Sequence, residues 1–225
     1  MKILCISDQI DPLVYSAALK QRFGDVDLVI SAGDLPMDYL GFIVSTLNKP
    51  LLFVFGNHDL KEFSYYCPEP EDRLRARNFR DGTDAVGESG AIHIGFSTRR
   101  ECGLLFVGLG GSLKYNNGRN QYSEFQMRLR ILRLIPSLLW NRLFHGRFLD
   151  ILVTHAPPRG IHDKEDACHR GFKSFLWFMK TFKPAYLVHG HIHLYDLTAL
   201  RSTRFGNTLV VNAYSHYLIE IGDRA

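Results

Sequence analysis

The amino-terminal third alternates short apolar runs with amphipathic stretches, and this alternation restricts the fold more than any other feature of the chain. Lys2–Ile6, Asp27–Ile30 and Pro50–Phe55 read as strands, with Leu13–Arg22 and Tyr39–Leu47 between them as helices. Strands bounded by turn residues and separated by helices pair in parallel. The alternation resumes with strands Leu104–Gly108, Leu149–Thr154 and Ala185–His189 and helix Phe172–Phe182. Ser123–Phe144 reads as a helix that Pro136 is expected to split or kink. The stretch from about Phe63 to Ser97 is irregular. In the tail, Tyr195–Ile221, β-type runs are broken by Gly206-Asn207 and Ala213-Tyr214-Ser215, and antiparallel strands are expected to close the fold. No repeat or linker divides the 225 residues, so one α/β domain over 1–225 is expected.

Polar residues sit at consistent places in this pattern. Asp8, Asp34, Asn57, His155 and the His191/His193 pair each follow an expected strand. In open α/β sheets ligands bind beyond the carboxyl ends of the strands, so separate strands would deliver these groups to one rim. Taken alone, Asp8 or Asp34 reads as a turn or cap aspartate. Gly56-Asn57-His58-Asp59 says more: the Asn amide oxygen is a neutral ligand for a cation, and Asp59 could orient the His58 ring. His191 and His193, two apart in extended backbone, point the same way, and imidazole is a common metal ligand.

In order, the motifs are Ser7-Asp8-Gln9-Ile10, Gly33-Asp34, Gly56-Asn57-His58-Asp59, Thr154-His155-Ala156 and Gly190-His191-Ile192-His193. The set resembles the signature of the calcineurin-like metallophosphoesterases, D-x-H, G-D, G-N-H-[D/E], H and G-H-x-H, and in particular bacterial phosphodiesterase-like members. The resemblance implies a four-layer sandwich, two mixed β-sheets flanked by helices. It also implies divalent metal ions, two in number and of the Mn, Fe or Zn type. One site would use Asp8, Asp34 and His193, the other Asp34, Asn57, His155 and His191, with Asp34 bridging. His58 would act on the leaving oxygen and Asp59 would orient it. Water activated between the metals would attack a phosphodiester or a small nucleotide-like phosphoester. One position departs from the signature. Ile10 stands where the family carries a histidine, which leaves the first site a ligand short and is expected to weaken it. Asp11 would need a loop rearrangement to substitute. A non-catalytic binding module on the same fold is the alternative, but the retained His58, His155, His191 and His193 favour an enzyme.

Other features are less specific. His169 and Arg170, in Cys168-His169-Arg170-Gly171, are candidate substrate contacts, and Gly160-Ile161-His162-Asp163 brings more polar groups near His155. Gly110-Gly111-Ser112 reads as a turn that could cradle an anion. Tyr115 to Gln121 reads as a solvated loop with one cation. The net charge of +4 suits an anionic substrate but is too small to imply nucleic-acid binding. Cys5, Cys67, Cys102 and Cys168 have no disulfide-framework spacing, so a reducing, cytoplasmic setting is expected. No apolar run reaches the length of a membrane span, and no membrane partner is expected. The arginines between Phe125 and Arg147 are read as the basic outer face of a helix packed on the sheet, with a membrane-surface helix as the rival reading. Its surplus of apolar residues leaves room for a lid or a homo-oligomer contact.

Overall fold

The structure is a computed structural model that describes residues 1–58, 60–67, 89–196 and 199–222. In chain order the elements are β1 (Lys2–Ser7), α1 (Leu19–Phe23), β2 (Leu28–Ser31), α2 (Met37–Leu47), β3 (Leu51–Phe53), α3 (Phe63–Tyr66), β4 (Ile92–His93), β5 (Ser97–Glu101) and β6 (Leu104–Leu109). There follow β7 (Ser112–Leu113), β8 (Gln121–Tyr122), α4 (Glu124–His145), β9 (Ile151–Thr154), α5 (Lys173–Phe182), β10 (Tyr186–His189), β11 (Ser202–Phe205), β12 (Thr208–Asn212) and β13 (Ser215–Glu220). One sheet has the order β13-β1-β2-β3-β4 and the other β11-β12-β10-β9-β6-β5, while β7 and β8 pair by themselves.

The strands read as continuous apolar runs because both faces of each sheet are covered. Along β1, Ile3 and Cys5 pack with Ile30, Phe106, Val153 and Val188 between the two sheets. Leu4 and Ile6, one residue out of phase, pack instead with Leu19, Leu40 and Ile43 beneath α1 and α2. On the far side, Leu152 and Leu187 meet Ile131 and Leu138 of α4 and Phe175 and Phe178 of α5. The result is the four-layer arrangement of helices, sheet, sheet and helices, with both sheets mixed.

Departures from the sequence reading have local causes. Helix α1 begins at Leu19 rather than Leu13. The Asp11 carboxylate accepts the Leu13 N–H at 2.7 Å and its carbonyl accepts from Val14 and Tyr15, so turns occupy the expected first helical residues. Helix α4 passes through Pro136 unsplit. It is held at the start by a reciprocal Ser123/Gln126 capping box, at the end by left-handed Gly146, and along its inner face by Met127, Ile131, Leu134 and Leu138. Just past the irregular stretch, β5 went unread because STRRE is a polar edge strand with no apolar alternation. Residues 68–88 of that stretch lie outside the described residues. The tail is antiparallel only in part. Strand β12 runs parallel to β10, and the chain then changes sheets so that β13 pairs antiparallel with β1.

Candidate metal centre

The loops after β1, β2, β3, β9 and β10 bring Asp8, Asp34, Asn57, His155 and His191 to one rim, drawn from both sheets. Asp8, Asp34 and His191 take left-handed backbone, with φ of 63°, 54° and 67°. Such conformations are uncommon for residues with a side chain and persist where the surroundings fix them. Two motif glycines are required by space. A Cβ on Gly56 would lie 2.0 Å from Asp34 Oδ1, and one on Gly190 would lie 2.4 Å from Asp8 Oδ2.

His155 is the hub. It is fully buried, and its Nδ1–H donates to the Ala32 carbonyl at 2.8 Å. A carbonyl only accepts, so in the neutral ring Nε2 carries a lone pair. That lone pair faces Asn57 Oδ1 at 3.1 Å, His191 Nδ1 at 3.1 Å and Asp34 Oδ2 at 3.3 Å. His191 is fixed in the same manner: Nε2–H donates to the Cys168 carbonyl at 2.6 Å, which leaves a lone pair on Nδ1. Asn57 Nδ2 donates to the Tyr115 hydroxyl at 3.2 Å, which turns the amide oxygen inward. Asp34 Oδ1 accepts the His58 N–H at 2.8 Å, which leaves Oδ2 for the cluster.

Neutral histidines would therefore put four lone pairs together with no hydrogen among them, an arrangement that demands positive charge. In the protein alone a proton supplies it. Burial pushes His155 down, but the Asp34 carboxylate, Asp8 and the bond to the Ala32 carbonyl together outweigh burial and lift it to about 9. Burial pushes Asp34 up, and His155 together with His58 outweighs that and brings it down to about 2. His191 is lowered to about 3 by burial first and by the charge of His155 second. A divalent cation satisfies the same mixed N/O donor set, and Asp34, His155 and His191 offer ligand atoms within 4.8 Å of one another.

The Asp8 side is looser. Both Asp8 oxygens accept the His191 N–H, at 3.0 and 2.9 Å, and Ser7 Oγ donates to Oδ2 at 2.6 Å. Burial holds the Asp8 carboxyl above its ordinary range. His193 Nε2 lies 3.9 Å from Asp8 Oδ1, while its Nδ1 is paired with the Tyr195 hydroxyl at 3.0 Å and its ring packs on Tyr214. Ile10 is exposed and supplies no ligand. Asp11 is already bound to Ser215 Oγ, to His216 Nδ1 at 2.5 Å and to the Leu13 N–H, so it is not free to replace a histidine.

The other sequence candidates divide. His58 is exposed at the rim, anchored through its backbone to Asp34; Asp59 lies outside the described residues. The His169 ring lies 5.7 Å from that of His191, and its Nδ1 pairs with Asp166 at 2.8 Å. Arg170 is instead turned to the Glu165 carbonyl. Gly111 and Ser112 spend their N–H groups on Phe55 and Asn120 carbonyls, so neither is free to cradle an anion, and Ser112 opens β7. The supports went unrecognised in sequence: the Tyr115–Gln121 stretch, read as a solvated loop, instead buries Asn120 and sends Tyr115 to Asn57. Asn120 Nδ2 donates to the Phe55 and Gly56 carbonyls beneath Asn57. Behind His191, Thr203 donates to His162, whose Nδ1–H donates to His189, whose Nδ1–H donates to the Gly190 carbonyl. The sequence signals for that chain were His162, in the Gly160–Asp163 segment, and His189 at a strand end.

A profile of the calcineurin-like phosphoesterases matches residues 1–195. The chain belongs to this family. Calcineurin-like phosphoesterases are generally hydrolases of phosphoester bonds that use divalent metals, and the lone-pair cluster around His155 is where this member offers ligands for one. Two solved structures share the fold of this calcineurin-like phosphoesterase. One crystal structure superimposes with a TM-score of 0.62 at 14% identity, covering 97% of this chain and 94% of the other. TT1561 of Thermus thermophilus does so with a TM-score of 0.58 at 13% identity, covering 95% and 89%. Among curated proteins, the probable rhamnogalacturonate lyase C of Emericella nidulans is 23% identical over 206 residues. That match takes in 86% of the chain but spans only 17% of the relative's length.

Proposed function

We propose that the chain hydrolyses a phosphodiester or a small nucleotide-like phosphoester with divalent cations held on this rim. The observation that carries the reading is the convergence of His155 Nε2, His191 Nδ1, Asn57 Oδ1 and Asp34 Oδ2, with both histidine tautomers set by backbone carbonyls. When bound, a pair of such cations supplies Lewis acidity to the phosphoryl oxygens and lowers the pKa of water at the site. Asp34 is the proposed bridge to a second, weaker position offered by Asp8 and His193, whose ligand set Ile10 leaves incomplete. Mn, Fe and Zn suit the donor atoms.

The remaining roles fall to the rim. His58, exposed beside Asp34, is the proposed proton donor to the leaving oxygen, with Asp59 as its orienting partner. His169, next to His191, is a proposed contact for the substrate phosphate, and Arg170 would join it by releasing the Glu165 carbonyl. Two measurements test this. Chelated protein should lose hydrolysis of an activated phosphodiester and regain it with Mn; activity that persists after thorough chelation removes the proposal. His58→Ala should keep its metal yet lose about 10²–10⁴-fold in rate on substrates with poor leaving groups. The loss should be much smaller where the leaving group needs no proton. An equal loss on both substrate types would take His58 out of that role.

A further inference from the structure

Helix α4 is apolar on both sides. Its inner face packs on the sheet through Met127, Ile131, Leu134 and Leu138. Its outer face, expected to be basic, carries Phe125, Leu129, Leu132, Leu139, Trp140 and Leu143 in solvent; Phe125 is 70%, Trp140 62% and Leu143 75% exposed. The spacing 125, 129, 132, 139, 143, with Pro136 filling the gap, keeps these residues in one stripe along the helix. Trp177 of α5 extends the stripe beside Leu132 and Arg128. Soluble surfaces rarely carry a contiguous apolar patch of this kind without a partner.

The charges beside the stripe identify the partner. At 100° per residue, Arg128 falls on one flank of it and Arg133 on the other, while Arg142, on the Arg128 side, is turned to the Gly146 carbonyl. Arg130 is drawn away to the Phe96 and Tyr122 rings, 4.4 and 4.2 Å from its guanidinium. The one carboxylate of α4, Glu124, accepts the Lys173 and Ser174 N–H groups at the start of α5. The outer face thus combines leucine, phenylalanine and tryptophan with arginine and no carboxylate. A second copy of the helix would set arginine flank against arginine flank with no acid from either helix to relieve it. An anionic bilayer surface satisfies both features at once: acyl chains take the stripe, lipid phosphates take the guanidinium groups, and the long arginine stems reach from one to the other.

We propose that α4 lies in the interface of an anionic lipid membrane and docks the protein there, which revises the expectation of no membrane partner. Among the described residues no helix is long and apolar enough to cross a bilayer, so this is attachment to a surface.

The experiment is direct because the chain has two tryptophans, Trp140 and Trp177, and both lie at this face. The whole protein is mixed with vesicles of phosphatidylglycerol and phosphatidylcholine, or of phosphatidylcholine alone. Intrinsic fluorescence and co-sedimentation are read at low and high salt. The expected result is a blue shift and co-sedimentation with the anionic vesicles, weakened by salt. Leu139→Glu or Leu143→Glu should lower vesicle affinity at least about tenfold. Arg133→Gln should weaken it less and flatten its salt dependence. All these positions are solvent-exposed, and an unchanged melting temperature separates lost docking from lost folding. Absence of a blue shift with anionic vesicles overturns the proposal. So does a dimer that Leu143→Glu converts to monomer, which would assign the face to a second copy, and so does equal binding to neutral vesicles.

Discussion

The His155 side of the rim and the Asp8 side carry the same kinds of residue, yet one is clamped and the other is open. Around His155 each ligand atom is aimed by its opposite end: Ala32 O holds His155, Cys168 O holds His191, Tyr115 holds Asn57 and the His58 N–H holds Asp34. On the other side Asp8 is fixed by Ser7 and the His191 N–H, but His193 is partly exposed and tied to Tyr195, and Ile10 offers nothing. A ligand whose far end is held loses little freedom when it binds a cation, and outer partners of this kind are worth about 10–100-fold in metal affinity. Affinity at such a centre is therefore set as much by carbonyls and amides behind the ligands as by the ligands themselves.

The comparison can be broken most forcefully by removing one histidine from each side. His191→Ala should abolish tight metal binding and reduce hydrolysis by at least about 10²-fold, whereas His193→Ala should keep the tightly held ion. Metal content after gel filtration, measured with activity, gives the answer; equal losses from the two substitutions would mean that the sides are not different. Ile10→His sharpens the contrast from the weak side. It should raise affinity for a second ion by about tenfold, seen in a metal titration, provided the new ring reaches Asp8. If the wild type already binds two ions with matched affinity, the comparison fails.

The smallest expected effect concerns Asp11, which is spent on structure. Burial would raise its pKa, but the bonds from Ser215, His216 and the Leu13 N–H outweigh burial and leave it lowered. A carboxyl lowered in the folded state stabilises the protein above its unfolded pKa of about 3.9, and that stability is lost as pH falls through the folded value. Asp11→Asn should cost about 1–3 kcal/mol near neutrality, with tight metal content unchanged. The gap between wild type and variant in denaturant melts should close below about pH 4. A loss of the tightly held ion would show that Asp11 serves the metal centre after all.

Much of this was legible in the sequence for a physical reason. Strands covered on both faces are continuous apolar runs, and each fixes where the loop after it begins, so Asp8 and His155 directly after their strands, and Asp34, Asn57 and His191 a few residues beyond theirs, could be placed on one rim from sequence. The supports were not legible because they are long-range and often backbone. Ala32 and Cys168 act through carbonyls that any residue would have, and Asn120 reaches Gly56 across 64 positions of sequence. The outer face of α4, basic as read, also carries an apolar stripe whose extent was not legible for a related reason. Arginines and leucines alternate along it, and periodicity alone does not say which stripe meets the sheet.

The switch of the chain between sheets before β13 has a consequence for how the protein is made. Strand β1 pairs on one side with β2 and on the other with β13, in a register that sets Lys2 opposite Glu220. On the ribosome, the strand that carries Asp8 therefore waits with an unpaired apolar edge until β13 has been synthesised. Loop closure of that length is slow, and an edge left open in the meantime invites pairing with another nascent chain.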